Sequence, residues 1–310
     1  MTRLTTQPLN LSSVLKELNF SLSAEQLRLL PTAEDVTFFQ EHGWFITKKV
    51  FSDELIDKIY QVSQEFYQGI KDTNLPYEDG YGNWKKEDGG LIRNNEHISL
   101  QKKAFCQLTL NPILGAIAGR LAKTSEIRLW QDQIITKEPT PKTNNSKVGW
   151  HIDSSYVSNS TSKKLLGAWI PLHDVTEKQG PLVVIDRSHK WQGNEHMRSF
   201  NQDNHQQIEA KFTKQGKEVK KIPIVLKKGQ ISFHDGLLVH GSYSNTSDSS
   251  RLAILVSLQD KDNRYQEFWN NGKQIHHFLD RLCRKQTSGL PDYTDPKIFP
   301  VLWSSNSQNK

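Results

Sequence analysis

His151 and Asp153 stand two residues apart in Trp150-His151-Ile152-Asp153. On a strand, residues i and i+2 point to the same face, so both side chains can reach one point in space. His240 closes the apolar run Gly236-Leu237-Leu238-Val239-His240 and can supply a third ligand from a neighbouring strand. Two imidazoles and a carboxylate on one side of a metal form the facial triad of non-haem iron chemistry, which leaves three positions open. Arg251 follows His240 by eleven residues, at the start of the next strand. The turn Tyr243 to Ser250 folds that strand back, so the guanidinium can hold a carboxylate near the metal by a two-pronged hydrogen bond. Ser242 shares a face with His240 and can donate to the same carboxylate.

These residues need a β framework, and the pattern supplies one from Glu126 onward. Glu126 to Lys137 reads as a strand with Trp130, Asp132 and Ile134 on one face and Gln131, Gln133, Ile135 and Lys137 on the other. Further strands are expected at 166–172, 181–185, 222–226, 230–234, 236–243 and 251–258, separated by Gly-, Lys- and Asn-rich turns. The expected architecture is mainly β with flanking helices, an α+β chain built on a cupin-like jelly roll. Before it, Leu11 to Leu18 carries a helical apolar stripe. Thr32 caps a helix that Gly43 ends, Trp44 to Phe51 reads as a strand, and Ser52 caps a second helix. Asn111-Pro112 starts a third, running through Lys123. We read residues 1–310 as one domain: an extension over 1–31, a jelly-roll core over 126–260, and a helical tail over 261–310 with a frayed end from Ser304. Residues 70–95 lack periodicity and are long enough for a lid or binding loop. Residues 191–221 form a polar insertion.

Composition narrows the function classes. The 310 residues carry a net charge of +6, but the lysines come as scattered pairs such as Lys85-Lys86 and Lys220-Lys221. No stretch concentrates them into a nucleic-acid patch; the surplus favours an anionic substrate or co-substrate. The two cysteines, Cys106 and Cys283, have neither disulfide-scaffold nor zinc-finger spacing. Met1 to Asn10 is polar, without the apolar core of a secretory signal. No stretch approaches the ~18 apolar residues of a membrane span. The expectation is a soluble cytoplasmic protein acting on a small molecule, with no nucleic-acid or membrane partner.

Other histidines compete for the metal. His173-Asp174 and His234-Asp235 are adjacent pairs whose side chains leave a strand on opposite sides, so neither pair suits one metal. His189 reads as structural. His276 and His277 fall on the expected tail helix as surface residues. Trp150 reads first as packing beside the site and second as a substrate contact. Tyr156 is a candidate substrate contact. Trp169 lines or fills the barrel.

The sequence resembles the phytanoyl-CoA dioxygenase family of Fe(II)/2-oxoglutarate-dependent oxygenases over about residues 34–260. The resemblance rests on Phe38 to Trp44, Gln131-Asp132-Gln133 with Lys137, Trp150-His151-Ile152-Asp153, Gly180-Pro181-Leu182, Ser188-His189, His240-Gly241-Ser242, Asn245 and Arg251-Leu252-Ala253. It implies a double-stranded β-helix with Fe(II) on His151, Asp153 and His240. It also implies 2-oxoglutarate bound by Arg251 and Ser242, with Gln131, Gln133 and Lys137 alongside, and O2 as the oxidant, giving succinate and CO2 as co-products. Halogenating relatives have a small residue where Asp153 stands, so the carboxylate implies hydroxylation or another oxidation. One departure is Asp186-Arg187, where such proteins usually carry Pro-Gly. Polar residues at the expected entrance, among them Asn94 and Asn95, favour a polar specialised metabolite, of which an alkaloid or toxin precursor with guanidine- or uracil-like groups is one example. The alternatives are an acyl-CoA hydroxylase and a non-catalytic metal-binding cupin.

Overall fold

The computed structural model describes residues 6–140, 146–162, 164–200 and 202–305. Its strands are β1 (Trp44–Ile46), β2 (Ile92–Glu96), β3 (Glu126–Lys137), β4 (Val148–His151), β5 (Leu166–Pro171), β6 (Val183–Ile185), β7 (Lys221–Pro223), β8 (Ser232–Asp235), β9 (His240–Ser242), β10 (Arg251–Asp260), β11 (Phe268–Asn270), β12 (Lys273–Ile275) and β13 (Val301–Ser304). The larger sheet runs β1-β8-β5-β10-β3-β13, and β2 pairs with β3 beside β13. The smaller sheet runs β4-β9-β6-β7. All these ladders are antiparallel. Two such sheets facing one another make the expected jelly roll.

Alternation along β10 shows how the sequence divides the two faces of the larger sheet. Leu252, Ile254 and Val256 enter the main apolar core, whereas Arg251, Leu255 and Ser257 line the interior cavity. Opposite them, the alternation of β3 is broken once. Ser257 pairs with Gln131 and Leu258 with Leu129, leaving Trp130 as the extra residue of a bulge. The bulge lets Trp130 stack on Phe299, rings 5.1 Å apart, while also reaching the cavity.

Helices cover the outer face of the larger sheet. The helix Ala33–His42 starts with a capping box between Thr32 and Asp35 and ends at Gly43, whose φ of +81° is one that only glycine adopts freely. Asp53–Tyr67 is capped by Ser52, and Pro112–Leu121 by Asn111. The last of these carries Gly115 and Gly119 because Trp303 of β13 lies across it; a Cβ at Gly119 would sit 2.4 Å from the indole. Among the described residues, no helix is long and apolar enough to cross a membrane.

Four regions differ from expectation. The tail is not helical: β11 and β12 form a hairpin, followed by a single 3-10 turn at Phe278–Arg281. The apolar spacing that suggested a helix serves packing of Phe278 and Leu279 instead. Of the end expected to fray from Ser304, Ser304 itself closes β13 (Val301–Ser304); residues 306–310 lie outside the described residues. The 70–95 loop ends in β2, and the 191–221 insertion contains the helix His205–Lys214.

Candidate active site

β4 and β9 are neighbours in the smaller sheet, with His151 directly opposite His240. Asp153 follows two residues later, at the start of a 3-10 turn. His151 Nε2 and His240 Nε2 lie 3.9 Å and 3.4 Å from Asp153 Oδ1. One ligand atom from each of the three residues falls within a 4.8 Å cluster. The imidazole tautomers are set by the backbone. His151 Nδ1–H donates to Gly149 O at 2.8 Å, and His240 Nδ1–H to Leu238 O at 2.9 Å. Both Nε2 lone pairs therefore face the cluster, the arrangement a metal-ligating histidine requires. Burial pushes His151 down to about 3, with the neighbouring His240 adding to the effect. Burial would raise Asp153, but the imidazoles of His240 and His234 outweigh it and hold the carboxyl well below its usual range.

His234 was not expected here. It projects from β8 in the opposite sheet, and its Nε2 lies 3.0 Å from Asp153 Oδ2. Its pairing with Asp235 is irrelevant, as its geometry on the strand implied; what matters is its row across the sheet. Gln131, Ser257, Gly167 and His234 lie side by side on β3, β10, β5 and β8. Gly167 makes room for the imidazole, since a Cβ there would sit 2.3 Å from His234 Nε2. The sequence signal was this register, which needs the strand pairing to be known.

A second row holds Lys137 opposite Arg251. Arg251 is 4% exposed and Lys137 is fully buried. Lys137 Nζ–H donates to Ser242 Oγ and to Tyr243 O, each at 2.6 Å. Arg251 donates to Gly180 O at 3.2 Å, lies 5.5 Å from the Trp169 ring centroid, and leaves its Nε–H without a partner. Among the described residues neither cation has a carboxylate within ion-pair distance. Burial and the charge of Arg251 pull Lys137 well below the usual lysine range, and burial lowers Arg251 to about 10. Two buried cations without an anion are costly unless a ligand supplies one.

The sheets enclose a cavity of about 760 Å³ that brings together His151, Asp153, His240, Ser242, Arg251, Gln131, Gln133, Tyr156 and Trp169. Lys137 reaches it through Ser242. Asn94 lines it, whereas Asn95 turns to the other side of β2. Trp150 does not reach it. Its indole is buried with Ile152, Val183 and Phe212, and its N–H donates to Glu209 Oε1 at 3.1 Å. It is a packing residue, and the expected substrate contact is corrected: His151 points into the cavity, so its neighbour on the strand points away. His277, expected on the surface, also lines the cavity and is held down to about 4 by burial, with Arg198 adding to the effect. Of the rival pairs, His173 has the structural role of accepting the Leu252 N–H at 3.0 Å. Asp186, in the departing turn, accepts from His42 and Trp44 at 2.8 and 3.0 Å, outside the cavity.

Comparison with known proteins settles the lineage. The family described as Phytanoyl-CoA dioxygenase (PhyH) matches residues 39–253. The chain belongs to the phytanoyl-CoA dioxygenase family. Peroxisomal phytanoyl-CoA dioxygenase of Homo sapiens is 22% identical over 248 residues, covering 76% of this chain and 70% of that one. Two solved structures share the fold. One is SnoK, a non-heme alpha ketoglutarate dependent carbocyclase from nogalamycin biosynthesis (TM-score 0.65, 22% identity, 87% of this chain and 96% of that chain). The other is EctD from S. alaskensis with 2-oxoglutarate and 5-hydroxyectoine (TM-score 0.65, 17% identity, 94% of each chain). As a member of this family the chain is a 2-oxoglutarate-dependent dioxygenase. Its residues fit the two groups such an enzyme uses. Two imidazole Nε2 atoms and one carboxylate suit Fe(II), and the uncompensated Lys137 and Arg251 suit the free carboxylate of 2-oxoglutarate.

Proposed function

We propose that the enzyme hydroxylates an unactivated C–H of a small, polar specialised metabolite. The observation that carries this reading is one cavity holding both the three-ligand cluster and a pair of buried cations lacking an anion. His151, Asp153 and His240 would hold Fe(II), and Arg251, Lys137 and Ser242 would seat the remote carboxylate of 2-oxoglutarate. Bound Fe(II) with 2-oxoglutarate and O2 supplies the oxidising power, with succinate and CO2 as co-products. The chain's own task is orientation. His234 fixes the Asp153 carboxylate through Oδ2 and leaves Oδ1 toward the two imidazoles. Gln131, Gln133, Asn94 and His277 line the space where a substrate would lie, and Tyr156 stands 5.9 Å from the His151 ring centroid. This polar lining favours a polar metabolite over an acyl-CoA chain.

The test is spectroscopic. Adding 2-oxoglutarate to the Fe(II)-loaded protein under argon should produce a visible charge-transfer band; its absence would favour a non-catalytic metal-binding protein. Arg251→Ala should raise the 2-oxoglutarate concentration needed for half-saturation by roughly 10–100-fold, the effect of losing a charged hydrogen bond. An unchanged requirement would remove Arg251 as the anchor.

A further inference from the structure

Away from the metal cluster, one further carboxylate faces the cavity. Glu96 closes β2 opposite Gln133 of β3 and lines the same space. Its Oε2 accepts the Gly82 N–H at 2.8 Å, and its own N–H donates to Gly82 O at 2.8 Å. The side chain is therefore fixed against the 80–84 segment. Among the described residues, no lysine, arginine or histidine forms an ion pair with it. Burial raises its carboxyl above the usual glutamate range, and the hydrogen bonds from Gly82 and Asn94 oppose that rise without cancelling it.

The surroundings share one chemical preference. Asn94 Oδ1, on the same strand face, is a buried acceptor with no partner. Tyr81 and Phe278, whose ring centroids are 4.5 Å apart, line the wall beside them. The Phe278 ring is already stacked on His97 at 4.9 Å and covered by the Arg281 guanidinium at 5.0 Å, so it serves as apolar wall; the carboxylate and the amide oxygen beside it together suit a desolvated cation. Besides Arg251, the cavity-lining cation among the described residues is Arg198, and it is engaged elsewhere. Its Nε–H donates to Ser155 O at 2.6 Å, and its guanidinium lies 5.4 Å from the Tyr156 ring centroid.

We infer that Glu96 is a specificity-determining residue and that the substrate carries a cationic nitrogen, an ammonium, guanidinium or amidinium, seated by Glu96 and Asn94 beside the wall of Tyr81 and Phe278. The inference rests on the cavity being the active site, and it makes the two ends of that cavity complementary. Uncompensated cations at one end would take the co-substrate's carboxylate, and an uncompensated carboxylate at the other would take the substrate's cation.

The probes are agmatine, butylamine, 1-butanol and butyrate, titrated calorimetrically into the full chain loaded with Fe(II) and 2-oxoglutarate under argon. Agmatine and butylamine should bind at least tenfold more tightly than 1-butanol and butyrate. Glu96→Gln, which keeps an oxygen for the Gly82 N–H, should erase that preference. Equal binding of charged and uncharged probes by the wild-type protein, or a preference retained by Glu96→Gln, overturns the inference. The wild-type comparison decides the matter even if the variant folds poorly. Absence of the charge-transfer band in the same samples would instead indict the co-substrate reading, so the two failures are told apart.

Discussion

The cavity's two ends are built by different kinds of chain. At the inner end, Lys137 and Arg251 are register partners on adjacent long strands, and His151 and His240 are register partners across β4 and β9. At the outer end, Glu96 is the last residue of a short strand, and Tyr81, His277 and Phe278 come from loops and a single 3-10 turn. Ladders fix side chains to within the pleat's own tolerance, which a constellation of metal ligands needs. Loops can change without disturbing those ladders, so substrate choice can vary over a constant oxidation site. The charges follow the same division: buried cations lacking an anion inside, a carboxylate lacking a cation outside.

Breaking the inner end should have the largest effect. Asp153→Ala removes the sole carboxylate of the ligand cluster and leaves His234 without its 3.0 Å partner. Iron retention after gel filtration and succinate release should both fall more than ~100-fold, beyond the 10–100-fold typical of losing a residue that merely supports a ligand. Full activity in this variant would exclude the proposed triad.

A subtler break tests whether the larger sheet positions the ligand that the smaller one supplies. Gly167→Ala places a methyl 2.3 Å from the present position of His234 Nε2, forcing the imidazole away from Asp153. Iron affinity, measured by competition with a chelator, should weaken by roughly 10–100-fold. The 2-oxoglutarate anchor lies in another row of the sheet, so half-saturation at fixed iron loading should move much less. Equal losses in both would show that the two rows do not act separately.

How far the sequence foretold these ends differs for the same structural reason. The inner end was legible because its residues obey period two. His151 with Asp153, His240 with Ser242, and Arg251 at a strand start all declare their side without knowledge of partners. The caps at Thr32, Ser52 and Asn111 were equally local. His234 was hidden because its relevance depends on which strand lies beside β5. Trp130 packs in the main core with Ile134, as the alternation implied, but that it also reaches the cavity was hidden because a bulge is not a periodic signal. Glu96 follows a segment with no period, and around His277 the spacing of Phe268, Ile275, Phe278 and Leu282 imitated a helix. Trp150 was a candidate contact by proximity in sequence to His151, and that same proximity on a strand is what turns it away.

The outer end should also leave a pH signature. His277 Nδ1 accepts the Leu279 N–H at 3.2 Å, so the neutral ring carries its proton on Nε2 and can donate into the cavity. Its folded-state value of about 4 lies below the ~6.5 of an unfolded chain. Above pH 6.5 both states are neutral there and the group adds no pH dependence. As pH falls from 6.5 toward 4 the unfolded state alone takes up the proton, so stability is lost across that window. His277→Phe should reduce the difference in urea-unfolding free energy between pH 7 and pH 5 by roughly 1–2 kcal/mol. An unaltered difference would mean that His277 is not held neutral by its burial.

The smallest effect is expected where neither end is touched. Arg187 occupies the turn after β6 with φ +63°, in the left-handed region that a side chain adopts at a cost of roughly 1–2 kcal/mol. Its compensation is slight. The guanidinium is 53% exposed and pairs with the equally exposed Glu41 at 2.8 Å, a contact worth at most about 1 kcal/mol. Arg187 Nε also lies 3.9 Å from Asp186 Oδ2, but Asp186 is held chiefly by the shorter bonds from His42 and Trp44 at 2.8 and 3.0 Å. Arg187→Gly relieves the backbone but loosens the unfolded chain, which returns part of the gain. The net expectation is stabilisation of about 0.5 kcal/mol, seen as a rise of roughly 1–2 °C in Tm, with the half-saturating 2-oxoglutarate concentration unchanged. A change in co-substrate binding here would mean that the turn after β6 communicates with Arg251, through Gly180 O or otherwise, and that the division between the inner end and the rest of the fold is less sharp than the ladders suggest.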